Sequence, residues 1–193
     1  MSSITVNEYI DLTVPNLSNF TEQSILNFKK EVASLAQGEA VTVTDNEDSQ
    51  VMAIAFSTLF VLAREMVLRL KSGDEVLIFN NNLPDYIRNS NLNTSLNGVI
   101  NKKDSDLDFS SAVDNEEVDI ADLWNKLEEV DNYIKRVDNF IEAFPKYKKR
   151  LLSLTLNGKI PTLPLVFAIY LSRLYADNVS YCCNKGEKIV LFN

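Results

Sequence analysis

The sequence predicts an α/β protein, with small mixed or mainly parallel sheets covered by helices. Three observations carry this. Short β-branched runs alternate along the chain with longer stretches of helical periodicity. Two stretches, 51–63 and 163–171, are apolar almost throughout, as helices buried on all sides are. Finally, "KSGDEVLIFN" at 71–80 is nearly rewritten as "NKGEKIVLFN" at 184–193, a turn and a short aliphatic run set down twice, 113 residues apart.

Taken in order, "ITVNEYIDLTV" (4–14) alternates as one or two short strands do, and Pro15 ends them. Ile25, Leu26, Phe28, Val32, Leu35 and Ala36 recur at helical steps, and Gly38 is a natural stop for that helix. "AVTVT" (40–44) reads as a strand. A strongly apolar helix is expected over 50–71, closed by Gly73. "EVLIFN" (75–80) then reads as a strand covered on both faces. "LPDYIRNSNL" suits a short helix and "NGVIN" a last short strand. Residues 101–118 are polar, acidic and aperiodic, and read as a linker or mobile loop. From 119 to 143 apolar residues return at three- and four-residue steps, predicting an amphipathic helix that stops before Pro145. "LLSLTL" (151–156) is a strand, 163–181 another apolar helix and 187–193 the final strand. Asn157-Gly158 offers an alternative, a hairpin joining "LSLTL" to "KIPTL".

Overlaid at the 113-residue offset, strand falls on strand, apolar helix on apolar helix, Gly73 on Gly186 and Phe79 on Phe192. The domain reading follows: 1–100 is one α/β domain, 101–118 the acidic linker, and 119–193 a second, helix-rich α/β domain that reads as a degenerate tandem repeat of the first. Thr162 falls on Ser49; with prolines on both sides it reads as a turn residue.

Composition narrows the function classes. The chain has 193 residues, 46% of them hydrophobic and 24% charged, the balance of a folded protein. Its net charge of −8 is uneven: residues 1–100 carry 6 basic and 12 acidic side chains, 101–118 carry 2 and 6, and 119–193 carry 11 and 9. An acidic front disfavours general nucleic-acid binding, which needs a basic surface against phosphates. The local exception is Lys146, Lys148, Lys149 and Arg150, a basic docking patch for an acidic segment or an anionic surface. No basic leader or apolar segment long enough to span a bilayer is seen, and the adjacent Cys182 and Cys183 suit reduced thiols, so the expected location is cytoplasmic. Histidine is absent, which removes imidazole-based nucleophilic and acid–base chemistry and most zinc sites. The five glycines form no phosphate loop or dinucleotide fingerprint. Neither enzyme activity, metal nor cofactor is expected.

"VTVTD", the Asp48-Ser49 pair, "QVMAIAFSTLFVLAREMVLRL", "GDEVLIFN" and "LPDYIRNSNL" together resemble a STAS domain, the sulfate-transporter and anti-sigma-factor-antagonist fold, over residues 1–100 and more faintly over 150–193. The resemblance implies a non-catalytic regulatory or scaffold module that binds a partner protein through the loop and helix around Ser49, with phosphorylation of Ser49 as a switch. The residues also allow a plainer role. Asp48 or Ser49 can cap the helix that follows, and Asp45, Glu47 and Asp48 suit the positive end of its dipole. Two other readings compete with the interaction module. One is a structural or assembly subunit of a viral or bacterial particle, which would self-associate. The other is an acidic inhibitor that mimics nucleic-acid charge.

Overall fold

The computed structural model describes residues 9–80, 112–183 and 187–193. The helix and strand expected within 81–101 lie outside them. In the first half, Ile10–Leu12 (β1), Ala40–Thr44 (β2), Glu65–Arg69 (β3) and Glu75–Asn80 (β4) form one sheet in that order. The first three strands are parallel, and β4 returns antiparallel to β3. Glu22–Ala36 (α1) links β1 to β2, and Ser49–Leu62 (α2) links β2 to β3. Crossovers between neighbouring parallel strands are right-handed, so both helices fall on one face of the sheet, where they pack together. That face is the core row Leu12, Val43, Leu68 and Val76 with Val41, Met66 and Phe79, all buried. The opposite face is polar: Arg69 bridges Glu75 at 3.0 Å and Asp11 at 3.4 Å across the strands. The Tyr9 hydroxyl donates to Glu65, a carboxylate buried in β3.

The second half repeats this wiring. Asn115–Asp119 (β5), Leu151–Asn157 (β6), Ala176–Cys182 (β7) and Ile189–Phe192 (β8) pair in order, parallel, parallel, then antiparallel. Ile120–Asn125 (α3) and Tyr133–Ala143 (α4) lie between β5 and β6, and Thr162–Tyr175 (α5) between β6 and β7. The correspondence reaches the irregularities. The register slips between Met66 and Val67 in β3 and between Val179 and Ser180 in β7, 113 residues later. Likewise α2 and α5 both run for 14 residues and begin 113 apart. Where the halves differ, α3 and α4 occupy the place of the single α1.

The halves join through α2 and α5, which pack against each other and are buried nearly all round. At the seam the Phe60 ring of α2 meets Tyr170 of α5 at 5.2 Å, Phe79 of β4 at 5.7 Å and Phe192 of β8 at 6.4 Å. This is one continuous core. It explains why both central helices lack a polar face: each has its own sheet on one side and the other half opposite. Among the described residues no helix is long and apolar enough to cross a membrane.

Several expectations are corrected. The helix foreseen over 50–71 ends at Leu62, and that over 163–181 ends at Tyr175; β3 and β7 follow directly. No glycine or proline separates helix from strand at either place, so the apolar run gave no sign of the change. The acidic segment read as a linker holds β5 at its end; only Val118 of that strand is buried, so its sequence lacks a strand pattern. The helix foreseen over 119–143 breaks into α3 and α4, with Asn132 capping the second by accepting from Lys135 N–H at 2.9 Å. Gly158 leads into a loop and α5, not a hairpin. The two aliphatic runs read as interior strands, β4 and β8, stand at the ends of their sheets, though Val76, Ile78, Phe79, Ile189, Leu191 and Phe192 are buried.

Candidate functional site

Parallel strands send their carboxyl ends the same way, and crevices form where they end. Here the loop leaving β2 (45–48) and the loop leaving β6 (158–161) are brought together because the helices they enter, α2 and α5, are packed as a pair. Asp48 caps α2, accepting from the N–H of Gln50 at 3.1 Å and of Val51 at 3.2 Å. Its own N–H donates to Asn46 Oδ1 at 3.0 Å, which holds the loop in a tight turn. Helix α5 has no such cap: Pro161 occupies that position without a side-chain bond.

The first residue of each central helix crosses to the other half. Thr162 donates its hydroxyl to Asp45, just beyond β2. Ser49, its counterpart at the 113-residue offset, lies 3.2 Å from Cys183 Sγ, just beyond β7, and 3.2 Å from the Tyr181 hydroxyl. That phenol also bonds Gly158 O at 3.0 Å. A carbonyl can only accept, so when the phenol donates to it the serine hydroxyl must donate in turn. Both Ser49 and Thr162 are 5% exposed. They act as rivets between the halves, and Thr162 is a helix residue where the sequence suggested a turn.

Above the rivets lies a cleft of about 1110 Å³. One wall is Asp45, Glu47 and the β3–β4 turn, with Lys71, Asp74 and Glu75; the other is Trp124 of α3, the start of α4 at Asn132, Tyr133 and Ile134, and the loop Lys159, Ile160 and Pro161. Glu47 is paired with Lys71, and Glu75 with Arg69. Asp74 accepts from the Ser72 hydroxyl at 2.8 Å. Among the described residues Lys159 has no partner. Burial raises the Asp45 carboxyl above its ordinary value, against the Thr162 bond and the nearby Lys71, which act to lower it. Burial, with the charge of Asp45 added, pushes the Tyr133 phenol up to about 12. The Arg136 guanidinium lies 3.9 Å over the Trp124 ring and donates to Trp124 O at 2.7 Å, which fixes the indole against Tyr133.

The residues singled out from sequence are thus distributed. Asp45 is in the cleft, Ser49 lines its floor but is buried, and Asp48 is committed to capping α2. Lys146, Lys148, Lys149 and Arg150 are all exposed, yet they precede β6, at the end of that strand away from the cleft, and Arg150 is paired with Asp177. Cys182 and Cys183 are half-buried, and neither is in a disulfide among the described residues. Among the described residues no cluster of three or more histidine, cysteine or carboxylate side chains is placed to hold a metal. Trp124, Tyr133 and Lys159 were not foreseen; the first two carry the helical periodicity of core residues, and nothing local marks the third. Among the described residues the cleft offers carboxylates, the lysines Lys71 and Lys159 and aromatic edges, with Val76, Ile134 and Ile160 between them. Compared with known proteins, the chain matches no family model, no curated protein and no solved structure.

Proposed function

We propose that this protein is a non-catalytic interaction module, regulatory or scaffolding, that holds a segment of a partner protein in the cleft between its halves. The observation that carries the reading is the cleft itself. At about 1110 Å³ it exceeds the volume of most small-molecule sites, roughly 300–1000 Å³. Its walls alternate charged side chains with Val76, Ile134 and Ile160. An extended chain advances about 3.3 Å per residue, so several residues of a partner fit. The STAS resemblance supports the same class of function with the contact moved: the partner meets Asp45, Glu47 and the facing wall rather than the Ser49 hydroxyl. A phosphate on Ser49 would bring up to about two negative charges in among Tyr181, Cys183 and the α2 cap, and would act by parting the halves. That Cys182 and Cys183 are not in a disulfide fits a reducing, cytoplasmic setting.

The test is a display library of random dodecapeptides selected on the immobilised full chain. Binding is followed through Trp124, the one tryptophan of the sequence, which sits in the cleft wall. Selected peptides should shift its emission and lose at least tenfold in affinity when Ile134 and Ile160 are changed to Asp and Ser. Peptides indifferent to these changes, or no peptides at all, would refute the reading.

A further inference from the structure

Resting on that reading of the cleft as a docking groove, the charges inside it say what the partner segment carries. Glu47 is paired with Lys71 and Glu75 with Arg69, while among the described residues Asp45 and Asp74 have no ion-pair partner, Lys71 acting on Asp45 only from nearby. Of the two carboxylates Asp45 is the one set deep. It is half-buried at the foot of β2, tied below by Thr162 and by its own N–H to Arg69 O at 2.9 Å. Tyr133 faces it from the opposite wall, close enough for the charge of Asp45 to act on the phenol. A partly desolvated anion beside aromatic surface is the combination that receives an ammonium or guanidinium group, because the cation restores the lost solvation and the ring adds a cation–π contact. An acidic segment would be repelled by Asp45, Asp74 and the net charge of the chain.

We infer that the partner segment presents a lysine or arginine side chain to Asp45, its charged head seated between that carboxylate and the Tyr133 ring. Lys159, on the loop 158–161, then meets a backbone carbonyl or an acidic residue further along the same segment and sets its direction.

The experiment takes each dodecapeptide recovered on the cleft, replaces its lysines and arginines by glutamine one at a time, and titrates it against wild type, Asp45→Asn, Tyr133→Leu and Glu31→Gln. Asparagine keeps the oxygen that accepts from Thr162, and a thermal melt of each variant checks the fold. One basic residue of the peptide and Asp45 should each be worth tenfold or more in affinity, with no further loss when both are removed. Binding should weaken as salt is raised, and Tyr133→Leu should cost at least threefold. Glu31→Gln, an exposed carboxylate on α1, should change nothing. By NMR, the Asp45 carboxyl should titrate lower in the complex than in the free protein. Peptides that sit in the cleft yet lack a basic residue, or that bind Asp45→Asn within twofold of wild type, would overturn the inference and leave the docking groove standing. If no peptide binds there, both fall.

Discussion

Alanine at Gly158 tests the joint that builds the cleft. This glycine has φ +108°, a conformation L side chains rarely adopt. A Cβ placed there would lie 2.4 Å from Ala121 Cβ, 3.1 Å from Ala121 N and 3.3 Å from its Cα, at the start of α3. Two costs arise together. The backbone conformation is worth about 1–3 kcal/mol, and overpacking against α3 roughly 1–3 kcal/mol more. Gly73 separates the two. Its φ is +90° but an added Cβ meets nothing within 4 Å, so Gly73→Ala should show the first cost alone. Urea denaturation with a common slope should therefore place Gly158→Ala about 2–6 kcal/mol below wild type and Gly73→Ala about 1–3 kcal/mol below. Adding Ala121→Gly removes the nearest contact, so it should recover part of the loss in Gly158→Ala while costing about 0.5–1 kcal/mol in wild type. Because α3 carries Trp124, the emission of Gly158→Ala should also change in the native baseline. Equal losses at the two glycines, or no coupling with Ala121, would refute the packing of α3 on the 158–161 loop.

Two further outcomes follow. Asp48→Ala strips two N–H groups of their acceptor and should lower stability by about 0.5–2 kcal/mol, most of it restored by Asp48→Asn, as measured by the same denaturation; an unchanged midpoint would remove Asp48 from the cap. For Asp45, burial lifts the folded carboxyl above 3.8, so folding favours its protonated form. Relative to an unshifted group, its contribution is complete below 3.8 and is lost as pH rises through the folded value. Asp45→Asn, which mimics the protonated acid, should thus gain on wild type between pH 3 and pH 7; a variant that loses ground over that interval would contradict a desolvated Asp45.

How much of this could be read in the sequence depended on whether the cause was local. The strand at 40–44, the stop of α1 and the entry to α2 were legible because a β-branched run, Gly38 and Asp48 act on their own neighbours. The boundaries Leu62 to Glu65 and Tyr175 to Ala176 were not, since helix and strand there are covered on all sides and share one apolar alphabet. β5 was hidden for the opposite reason: its "NEEVD" is polar, and its extended form is imposed by the parallel ladder to β6. The acidic loop at 45–48 announced a helix entry. That Ser49 is buried did not follow, because what covers it, Tyr181 and Cys183, is more than 130 residues away. The repeat was visible in three identities and a pattern, but its meaning needed the register slips in β3 and β7.

The repeated wiring also explains why Asp45 stands where it does. Packing α2 on α5 brings two helix starts, each bearing partial positive charge, to one end of the molecule. Helix α2 meets this locally through Asp48. Helix α5 cannot, because Pro161 has no side-chain acceptor, and its third residue, Pro164, has no N–H to satisfy. The anion nearest its start is Asp45, supplied from the first half and bonded to Thr162. One acidic loop therefore serves both helices, the second across the seam. That arrangement leaves an acidic residue lining the cleft, in a setting where water is partly excluded. A rivet between halves and the proposed seat for a partner's cation would then share one cause, an α5 that has no acidic cap of its own.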